Sequence, residues 1–349
     1  MQKPSRNPHR RLPAFVLPLL AALLPLATDV TAGELMVGNK SADSVWFLSL
    51  EDGRRTAVAQ TDAGPHEIAV SPDGRRAAIT NYGAGTPGHT LTVLDLAGAA
   101  TPRTIDLGPH GRPHGVRFLP DSRRLVVTTE ASGHLLVVDL DAGADDDPIE
   151  AAIGVGEGVG HMVALSDDGS VAYVSKIAAG TVSRVDLAKA RKTGERTSGE
   201  GAEGIAFRRG HGELWVSNRA AGTVTVHDPV SLEVLHTLES PGFPIRIVFT
   251  ADGRHALVTN ARAGELAVFD ADSKSRVATV GLLREDGEYR DTLLGRDALP
   301  IGVIADPQRP RVYVAISGAD EIAVIDTGDW KVVDRWATGR EPDALGVAE

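Results

Sequence analysis

Histidine recurs immediately ahead of short apolar segments in the first half of the chain. His66 lies in "GPHEIAVSPDG", His114 in "RPHGVRFLPDS" and His161 in "VGHMVALSDDG". Later segments keep the same frame without a histidine, and the matching residues are Glu203, Ile245 and Ile301. Imidazole binds transition metals and transfers protons near neutral pH. The recurring position is therefore the first candidate for chemistry, provided that the copies meet in space.

Each copy has the same order of segments. A short apolar strand (68–70 in the first copy) leads to an Asp-Gly turn (72–74), and a Val/Ile/Ala-rich strand then ends in a polar pair such as Thr80-Asn81. A third strand ends in Asp, as in "LTVLDL", and a fourth follows. Four short strands in each unit of about 40 to 50 residues predict the blades of a β-propeller. No segment shows a helical period long enough to compete.

The number of blades follows from the two ends of the chain. Six copies are complete. The segment 34–60 ("ELMVGNK", "SVWFLSL", "RRTAVAQ") supplies second, third and fourth strands, whereas "REPDALGVAE" at 340–349 supplies a first strand. Joining them closes a ring and protects both terminal edges. The sequence thus predicts an all-β, seven-bladed propeller formed by one domain, residues 33–349. We number the split blade 1 and the complete blades 2 to 7.

Repeated motifs carry a family resemblance. "AITN", "YVSK", "WVSN" and "LVTN" end second strands, and "SPDG" and "TADG" form turns. With these motifs the chain resembles the YVTN-type seven-bladed propellers of bacterial exported proteins, relatives of the cytochrome d1-like and lactonase-like propellers, over essentially all of the mature chain. The resemblance implies the fold. Propellers host enzymes, adaptors and ligand carriers, so the fold alone selects no function.

In propellers, first strands begin at the top face beside the central channel. We call the recurring site the mouth position, and around the ring it holds His66, His114, His161, Glu203, Ile245, Ile301 and Asp343. The five polar members form one unbroken arc. Imidazole and carboxylate are the ligand set of Zn²⁺, Cu²⁺, Mn²⁺ or Fe²⁺, so the arc is predicted to be a divalent metal site. The alternative is that each group only hydrogen-bonds neighbouring loops or water.

Second strands end on the same face. Their polar residues are candidates to bind a ligand above the channel: Tyr82, Glu130, Lys176, Asn218, Arg219, Asn260 and Arg262. Asparagine in this position also fits turn capping, which leaves Tyr82, Glu130, Lys176 and Arg219 as the stronger candidates. A long loop at 82–90 and an insertion at 281–298, between blades 6 and 7, could cover this face or be plain surface excursions.

The first 32 residues predict a cleaved signal peptide, with a basic start, an apolar run at 12–27 and a small-residue cleavage pattern at Val30-Thr31-Ala32. The mature protein is then periplasmic or secreted, by either the general or the twin-arginine route, without a transmembrane segment. The chain lacks cysteine, which excludes disulfides, thiolate ligands and covalently attached haem. A net charge of −11 argues against general nucleic-acid binding. A monomer is expected.

Three functions fit these residues. The favoured hypothesis is a binding scaffold that uses the top face and channel mouth to hold a partner protein, a small ligand or a metal ion. The first alternative is a lactonase-like hydrolase, in which the histidines and Glu203 act as ligands or bases on water. The second is a redox accessory protein, for which non-covalent haem remains open.

Overall fold

The computed structural model describes residues 1–2, 33–98, 101–143, 145–284, 287–292 and 294–349. The predicted signal peptide lies outside the described residues, apart from Met1 and Gln2. From residue 33 onwards the described chain forms seven four-stranded antiparallel sheets, which confirms the seven-bladed all-β fold. The described part of the chain contains no helix that is long and apolar enough to cross a membrane.

The innermost strands line the channel. From blade 1 to blade 7 they are β30 (Pro342–Ala348), β4 (Pro65–Val70), β8 (Pro113–Phe118), β12 (Gly160–Leu165), β16 (Ala202–Arg208), β20 (Pro244–Phe249) and β26 (Pro300–Ala305). Each contacts the innermost strand of the next blade, and β26 contacts β30, so the ring is closed.

Three further strands complete each blade outwards. The second strands are β1 (Glu34–Asn39), β5 (Arg76–Gly83), β9 (Arg124–Thr129), β13 (Val171–Lys176), β17 (Glu213–Asn218), β21 (His255–Asn260) and β27 (Arg311–Ile316). The third strands are β2 (Ser44–Ser49), β6 (Pro87–Asp95), β10 (His134–Asp139), β14 (Thr181–Asp186), β18 (Thr223–His227), β22 (Glu265–Asp270) and β28 (Glu321–Asp326). The outermost strands are β3 (Arg55–Gln60), β7 (Arg103–Asp106), β11 (Ile149–Gly154), β15 (Arg191–Thr197), β19 (Val234–Glu239), β23 (Ser275–Gly281) and β29 (Lys331–Ala337).

The hydrophobic core lies between adjacent blades. Second and third strands are rich in Val, Ile and Leu, which suit the pleated, two-sided burial of a central strand. Leu91 of blade 2 packs with Leu125 and Leu136 of blade 3 in one such cluster. Each of these three side chains is fully buried, and burial of a Leu stabilises by about 1.5–3 kcal/mol. The blades are therefore held to one another by apolar contacts on both sides.

Blade 1 is closed by the two ends of the described propeller. Strand β1 pairs with β2 on one side and with β30 on the other, where Leu35 is opposite Val347 and Val37 is opposite Leu345. The carboxyl-terminal strand thus occupies the innermost place of a blade whose other strands come from residues 34–60. This closure agrees with the sequence prediction.

The two loops singled out in the sequence differ in structure. Residues 82–90 extend a hairpin, since β5 and β6 still pair at Gly83 and Pro87. The insertion after blade 6 contains a small hairpin of β24 (Asp291–Thr292) and β25 (Gly295–Arg296). Residues 285, 286 and 293 of this insertion lie outside the described residues.

Candidate metal centre at the channel mouth

Every mouth position is the second residue of an innermost strand. In blade 3, Pro113 pairs with Thr129 but Val116 pairs with Val127, so three steps on β8 match two on β9. The additional residue makes a β-bulge, which re-aims the side chain of its strand. The pairing shifts near the start of the innermost strand in every blade. One backbone device therefore serves all seven mouth positions.

The residue two places before each mouth position has a left-handed backbone. The seven residues and their φ angles are Gly64 (67°), Arg112 (54°), Val159 (63°), Gly201 (73°), Phe243 (72°), Leu299 (50°) and Glu341 (57°). A residue with a Cβ atom in this conformation costs about 1–2 kcal/mol. Five of the seven residues are not glycine and adopt this conformation despite its cost. The turn into the innermost strand therefore requires the left-handed conformation.

Hydroxyl groups near the ends of the second strands fasten the mouth positions. Thr128 Oγ1 accepts a hydrogen bond from the Gly115 amide (2.8 Å) and donates one to the His161 carbonyl of the next blade (2.5 Å). Ser175 likewise bonds Met162 N at 3.3 Å and donates to the carbonyl of Glu203. The sequence motifs, "YVSK" among them, predicted the ends of second strands but not this role of the hydroxyl residue. The recurrent Ser or Thr just before the last residue of the second strand was the available signal.

The predicted arc comes together in space. His66 Nδ1 lies 2.8 Å from Asp343 Oδ2, and the His66 ring centroid is 4.2 Å from that of His114. The rings of His114 and His161 are 3.6 Å apart, and His161 Nε2 is 3.3 Å from Glu203 Oε1. Five consecutive blades thus contribute one continuous chain of polar side chains.

Glu130 joins this chain from the loop after the second strand of blade 3. Its Oε1 is hydrogen-bonded to His161 Nδ1, and its Oε2 accepts a hydrogen bond of 2.6 Å from the Tyr82 hydroxyl. Burial and the neighbouring Glu130 carboxylate raise the pKa of Tyr82 to about 12. Tyr82 therefore stays protonated and orients the carboxylate. Both residues were predicted to contact a ligand.

Arg246, the third residue of β20, was not singled out from the sequence. Its Nη2 lies 2.7 Å from Glu67 Oε1 and 4.0 Å from Asp343 Oδ1, and its Nη1 is 3.3 Å from Glu203 Oε1. Only 6% of this residue is exposed. The guanidinium links the two ends of the arc and closes it into a ring of side chains. An arginine beside a mouth position facing three carboxylates could have been found only with the ring geometry in hand.

Cations on the top face bind the outer carboxylates of the arc. Lys40 Nζ is 3.5 Å from Asp343 Oδ2, and Arg219 Nη1 is 2.7 Å from Glu203 Oε2. Burial opposes ionisation of Glu203, but His161, Arg246 and Arg219 outweigh it and lower its pKa. The pKa of Asp343 is lowered in the same way by His66, Lys40 and Arg246. Both carboxylates are therefore ionised and already neutralised by cations.

The histidines differ in protonation. Burial, and then the neighbouring rings of His161 and His66, hold the pKa of His114 well below its ordinary value, so His114 is neutral. Burial also opposes protonation of His161, yet hydrogen bonds to Glu130 and Glu203 outweigh it and raise its pKa. Burial lowers the pKa of His66 despite its Asp343 partner. A neutral imidazole thus stands between two rings with different proton affinities.

Three side chains have the geometry of a metal site. Candidate ligand atoms of His114, Glu130 and His161 all lie within 4.8 Å of one another. Among the described residues, neither ring nitrogen of His114 has a hydrogen-bond partner, although the residue is only 1% exposed. The group shares His114 and His161 with the predicted ligand set and adds Glu130. His66, Glu203 and Asp343 flank it.

The other predicted binding residues have structural contacts. Lys176 is fully buried, and its ammonium group binds Glu195 of the outermost strand. Asn218 donates to Thr223 and Thr225, both at 3.2 Å. Asn260 donates to Glu265 (2.8 Å) and accepts from Ser240 (2.9 Å). The guanidinium of Arg262 lies 4.3 Å from the ring centre of Phe243.

Comparison with known proteins shows similarity of fold. No protein-family model and no curated protein matches the chain. A structure of Kuenenia stuttgartiensis hydrazine synthase matches with a TM-score of 0.67 and 20% identity, over 83% of this chain and 91% of that chain. A functionally unknown protein from Desulfotomaculum acetoxidans matches with a TM-score of 0.72 and 16% identity, over 90% of this chain and 99% of that chain. At these identities the likeness concerns the propeller fold alone.

Proposed function

We propose that the protein is a binding scaffold that holds a divalent transition-metal ion at the channel mouth, with His114, Glu130 and His161 as ligands. The observation that carries the proposal is the state of His114. Its imidazole is neutral and 1% exposed, and within the described structure neither ring nitrogen has a hydrogen-bond partner. Leaving a buried polar group unpaired costs about 1–3 kcal/mol. Coordination of a metal ion by the unprotonated ring nitrogen would recover this cost for that atom.

The carboxylate and the second histidine supply the rest of the coordination. His161 Nδ1 and Glu130 Oε1 share a hydrogen bond, whose proton is carried by one of the two groups. The contacts of His161 with Glu130 and Glu203 raise its pKa. A divalent ion can replace that proton, because ligand nitrogens must be deprotonated to bind. Glu203, 3.3 Å from His161 Nε2, then orients the ring in the manner of an outer carboxylate partner.

The ligand chemistry favours particular metals. Two imidazole nitrogens and one carboxylate oxygen form a borderline donor set, for which affinity among divalent ions rises from Mn²⁺ towards Cu²⁺ and Zn²⁺. We therefore place Zn²⁺ and Cu²⁺ ahead of Mn²⁺. Tyr82 and Glu130 are partly exposed, whereas His114 and His161 are buried. A small ligand or a partner side chain would therefore reach the ion from the side of Tyr82 and Glu130.

We do not extend the proposal to catalysis. The carboxylates beside the histidines are held ionised by Arg219, Arg246 and Lys40. The lowered pKa values of Glu203 and Asp343 make both groups weak general bases, since an efficient base has a pKa near the working pH. The binding role accounts for the same residues without a turnover step.

The proposal also covers export of the chain and its membership of a propeller family. We infer that residues 1–32 are removed and that the mature protein is a periplasmic or secreted propeller of the YVTN type. The basic and apolar segments of the first 32 residues and the "VSN"-type strand ends support this inference. Expression of the full chain in a bacterial host, with intact-mass measurement of the extracytoplasmic fraction, would give a protein beginning at Gly33. Recovery of the uncleaved chain would contradict export by a cleaved leader.

Metal binding is tested by calorimetry on chelator-treated protein. Zn²⁺ and Cu²⁺ should bind at one site and release about one proton, measured as a dependence of the binding heat on the buffer's ionisation enthalpy. At a metal concentration of about 100 times Kd, unfolding should require about 2.7 kcal/mol more.

Variants assign the ligands. His114→Ala should abolish binding. Glu203→Gln should weaken binding by about tenfold, the effect expected for an orienting partner. His211→Ala, in the turn between β16 and β17, is the matched control and should bind like the wild type. Equal binding by His114→Ala and His211→Ala would show that the mouth histidines are not ligands.

A further inference from the structure

A cavity lies at the opposite end of the channel, which we call the lower face. It has a volume of about 370 Å³ and is formed by the last residues of β8, β12, β16 and β20 and by the turn 250–253. The mouth positions, His114 and His161 among them, are the second residues of these strands, and a strand rises about 3.3 Å per residue. The cavity therefore begins about 10 Å below His114 and is separate from the candidate metal centre.

Arg117 is the charged group at the upper end of this cavity. Its Nη1 donates to the Val116 carbonyl at 2.7 Å, and no carboxylate of the described residues lies within ion-pair distance of its guanidinium. Burial is the largest cause that lowers the pKa of Arg117, and the positive charges of Arg246 and Arg209 lower it further, against the attraction of Glu67. Arg117 is partly buried. A cation partly withdrawn from water and without a paired anion is stabilised by a bound anion.

The charged residues around the cavity also favour an anionic ligand. Arg209 is exposed at the rim and adds a second positive charge to the same cavity. The acid of the lining, Asp252, is engaged locally, since it accepts hydrogen bonds from Thr250 Oγ1 (2.7 Å) and the Arg254 amide (3.1 Å). Two guanidinium groups thus face one cavity in a chain whose net charge is −11.

Part of the cavity wall is apolar. Leu165, Phe207 and Phe249 are each partly exposed at the strand ends that line it. Phe207 is held by Tyr173, with the ring centroids 5.9 Å apart, and Phe249 by Trp215 at 5.6 Å. Rings fixed in this way form a rigid apolar surface beside a cation. Small-molecule sites have this composition, and their volumes are about 300–1,000 Å³.

We propose that the lower cavity is a binding site for a small organic carboxylate with an apolar body. The carboxylate pairs with the Arg117 guanidinium, whose fork of donors matches the two oxygens of a carboxylate. The body of the ligand lies against Phe207 and Phe249, and Arg209 attracts the anion at the entrance. This proposal does not depend on metal binding at the other end of the channel.

Phenylacetate is the probe, because it combines one carboxylate with one aromatic ring. Calorimetric titration at low ionic strength should show one site. Phenylacetamide lacks the charge and acetate lacks the ring, so each should bind at least about tenfold more weakly, as expected for loss of a charge-assisted hydrogen bond or of apolar burial. Equal binding of phenylacetamide, or no binding of phenylacetate, would overturn the proposal.

Variants separate the site from other sources of binding. Arg117→Gln should weaken the binding of phenylacetate by at least about tenfold. Arg209→Gln, at an exposed position, should slow association and weaken binding less. Arg191→Gln, exposed on β15, is the matched control and should change nothing. The His114→Ala variant should still bind phenylacetate, whereas loss of binding there would place the anion on the upper site. Unchanged affinity in both Arg117→Gln and Arg209→Gln would also overturn the proposal.

Discussion

Arg246 and Glu67 stand on blades 6 and 2, on opposite sides of the channel, and Arg246 Nη2 lies 2.7 Å from Glu67 Oε1. The same guanidinium reaches Glu203 of blade 5 at 3.3 Å. Although Arg246 is buried, Glu67, Asp343 and Glu203 outweigh the cost of burial and raise its pKa. The side chain is thus a permanently charged brace between blades that are distant in sequence.

Removal of this brace should destabilise the ring. Arg246→Met would leave the buried carboxylates of Glu203 and Asp343, and the half-buried carboxylate of Glu67, without their shared cation. Breaking a buried ion pair costs about 3–5 kcal/mol. Urea denaturation followed by tryptophan fluorescence measures the loss. Arg191→Met, on the exposed outermost strand β15, is the control and should lose less than about 0.5 kcal/mol. A loss of similar size in the two variants would show that Arg246 does not brace the blades.

The sequence predicted the fold and the arc for a definite reason. Strand periodicity and turn residues repeat seven times, and ring closure then brings His66 beside Asp343 although they are far apart in the chain. Arg246 and Glu67 escaped prediction because their meeting depends on how far side chains reach across the channel, and periodicity carries no such information. Lys176 was predicted at the ligand face, whereas its side chain is buried against Glu195. Side-chain direction at a strand end was not readable from the motif.

The hydroxyl of Thr128 should contribute measurably to the free energy of unfolding, because it bonds two backbone groups. Thr128→Val keeps the shape but leaves the Gly115 amide and the His161 carbonyl without their partner, at a cost of about 1–3 kcal/mol. Thr128→Ser retains the hydroxyl and should therefore keep most of the stability that Thr128→Val loses. Thermal unfolding compares the two variants with Thr101→Val, an exposed control in the loop before β7. Equal stability of the Val and Ser variants would contradict the role of the hydroxyl.

The carboxyl-terminal strand should be essential for cooperative unfolding. Deletion of residues 342–349 removes β30. This strand pairs with β1 and contacts both β26 and β4, so it joins the last complete blade to the first. The exposed edge of β1 would then be open to pairing with other chains. We expect a broad, non-cooperative transition and association on size-exclusion chromatography. A synthetic peptide of residues 340–349 should restore the sharp transition, and an unchanged melting temperature in the truncated protein would refute closure through β30.

Gly64 should tolerate a methyl group less well than Gly74. Both have left-handed backbones, with φ of 67° and 71°. A Cβ atom on Gly64 would lie 2.5 Å from the Gly83 carbonyl oxygen, whereas a Cβ atom on Gly74 has no neighbour within 4 Å. Gly74→Ala should therefore cost only the backbone strain of about 1–2 kcal/mol, and Gly64→Ala clearly more. Chemical denaturation of the two variants provides the comparison, and equal losses would disprove the steric argument.

The Lys176–Glu195 pair predicts a pH dependence of stability. Burial opposes ionisation of Glu195, but hydrogen bonds from Lys176, Lys192 and Thr181 outweigh it and lower its pKa from 4.5 to about 2. Because the folded-state pKa is the lower one, the stabilisation is complete above pH 4.5 and is lost as the pH falls towards 2. Glu195→Gln should thus be less stable at pH 7, with a difference that shrinks below pH 4.5. A difference that stays constant from pH 7 to pH 3 would exclude this linkage.

The bulge, the left-handed residue and the hydroxyl that hold a mouth position all belong to the backbone or to neighbouring residues, so the mouth side chain itself is free to vary. Ile245 and Ile301 occupy the same setting as His114 and are nearly as buried. All seven mouth positions share the bulge and the left-handed residue. Each position can therefore carry a different functional group without a change of fold. Substitution of Ile245 or Ile301 by histidine would change the chemistry of the channel mouth at one position at a time.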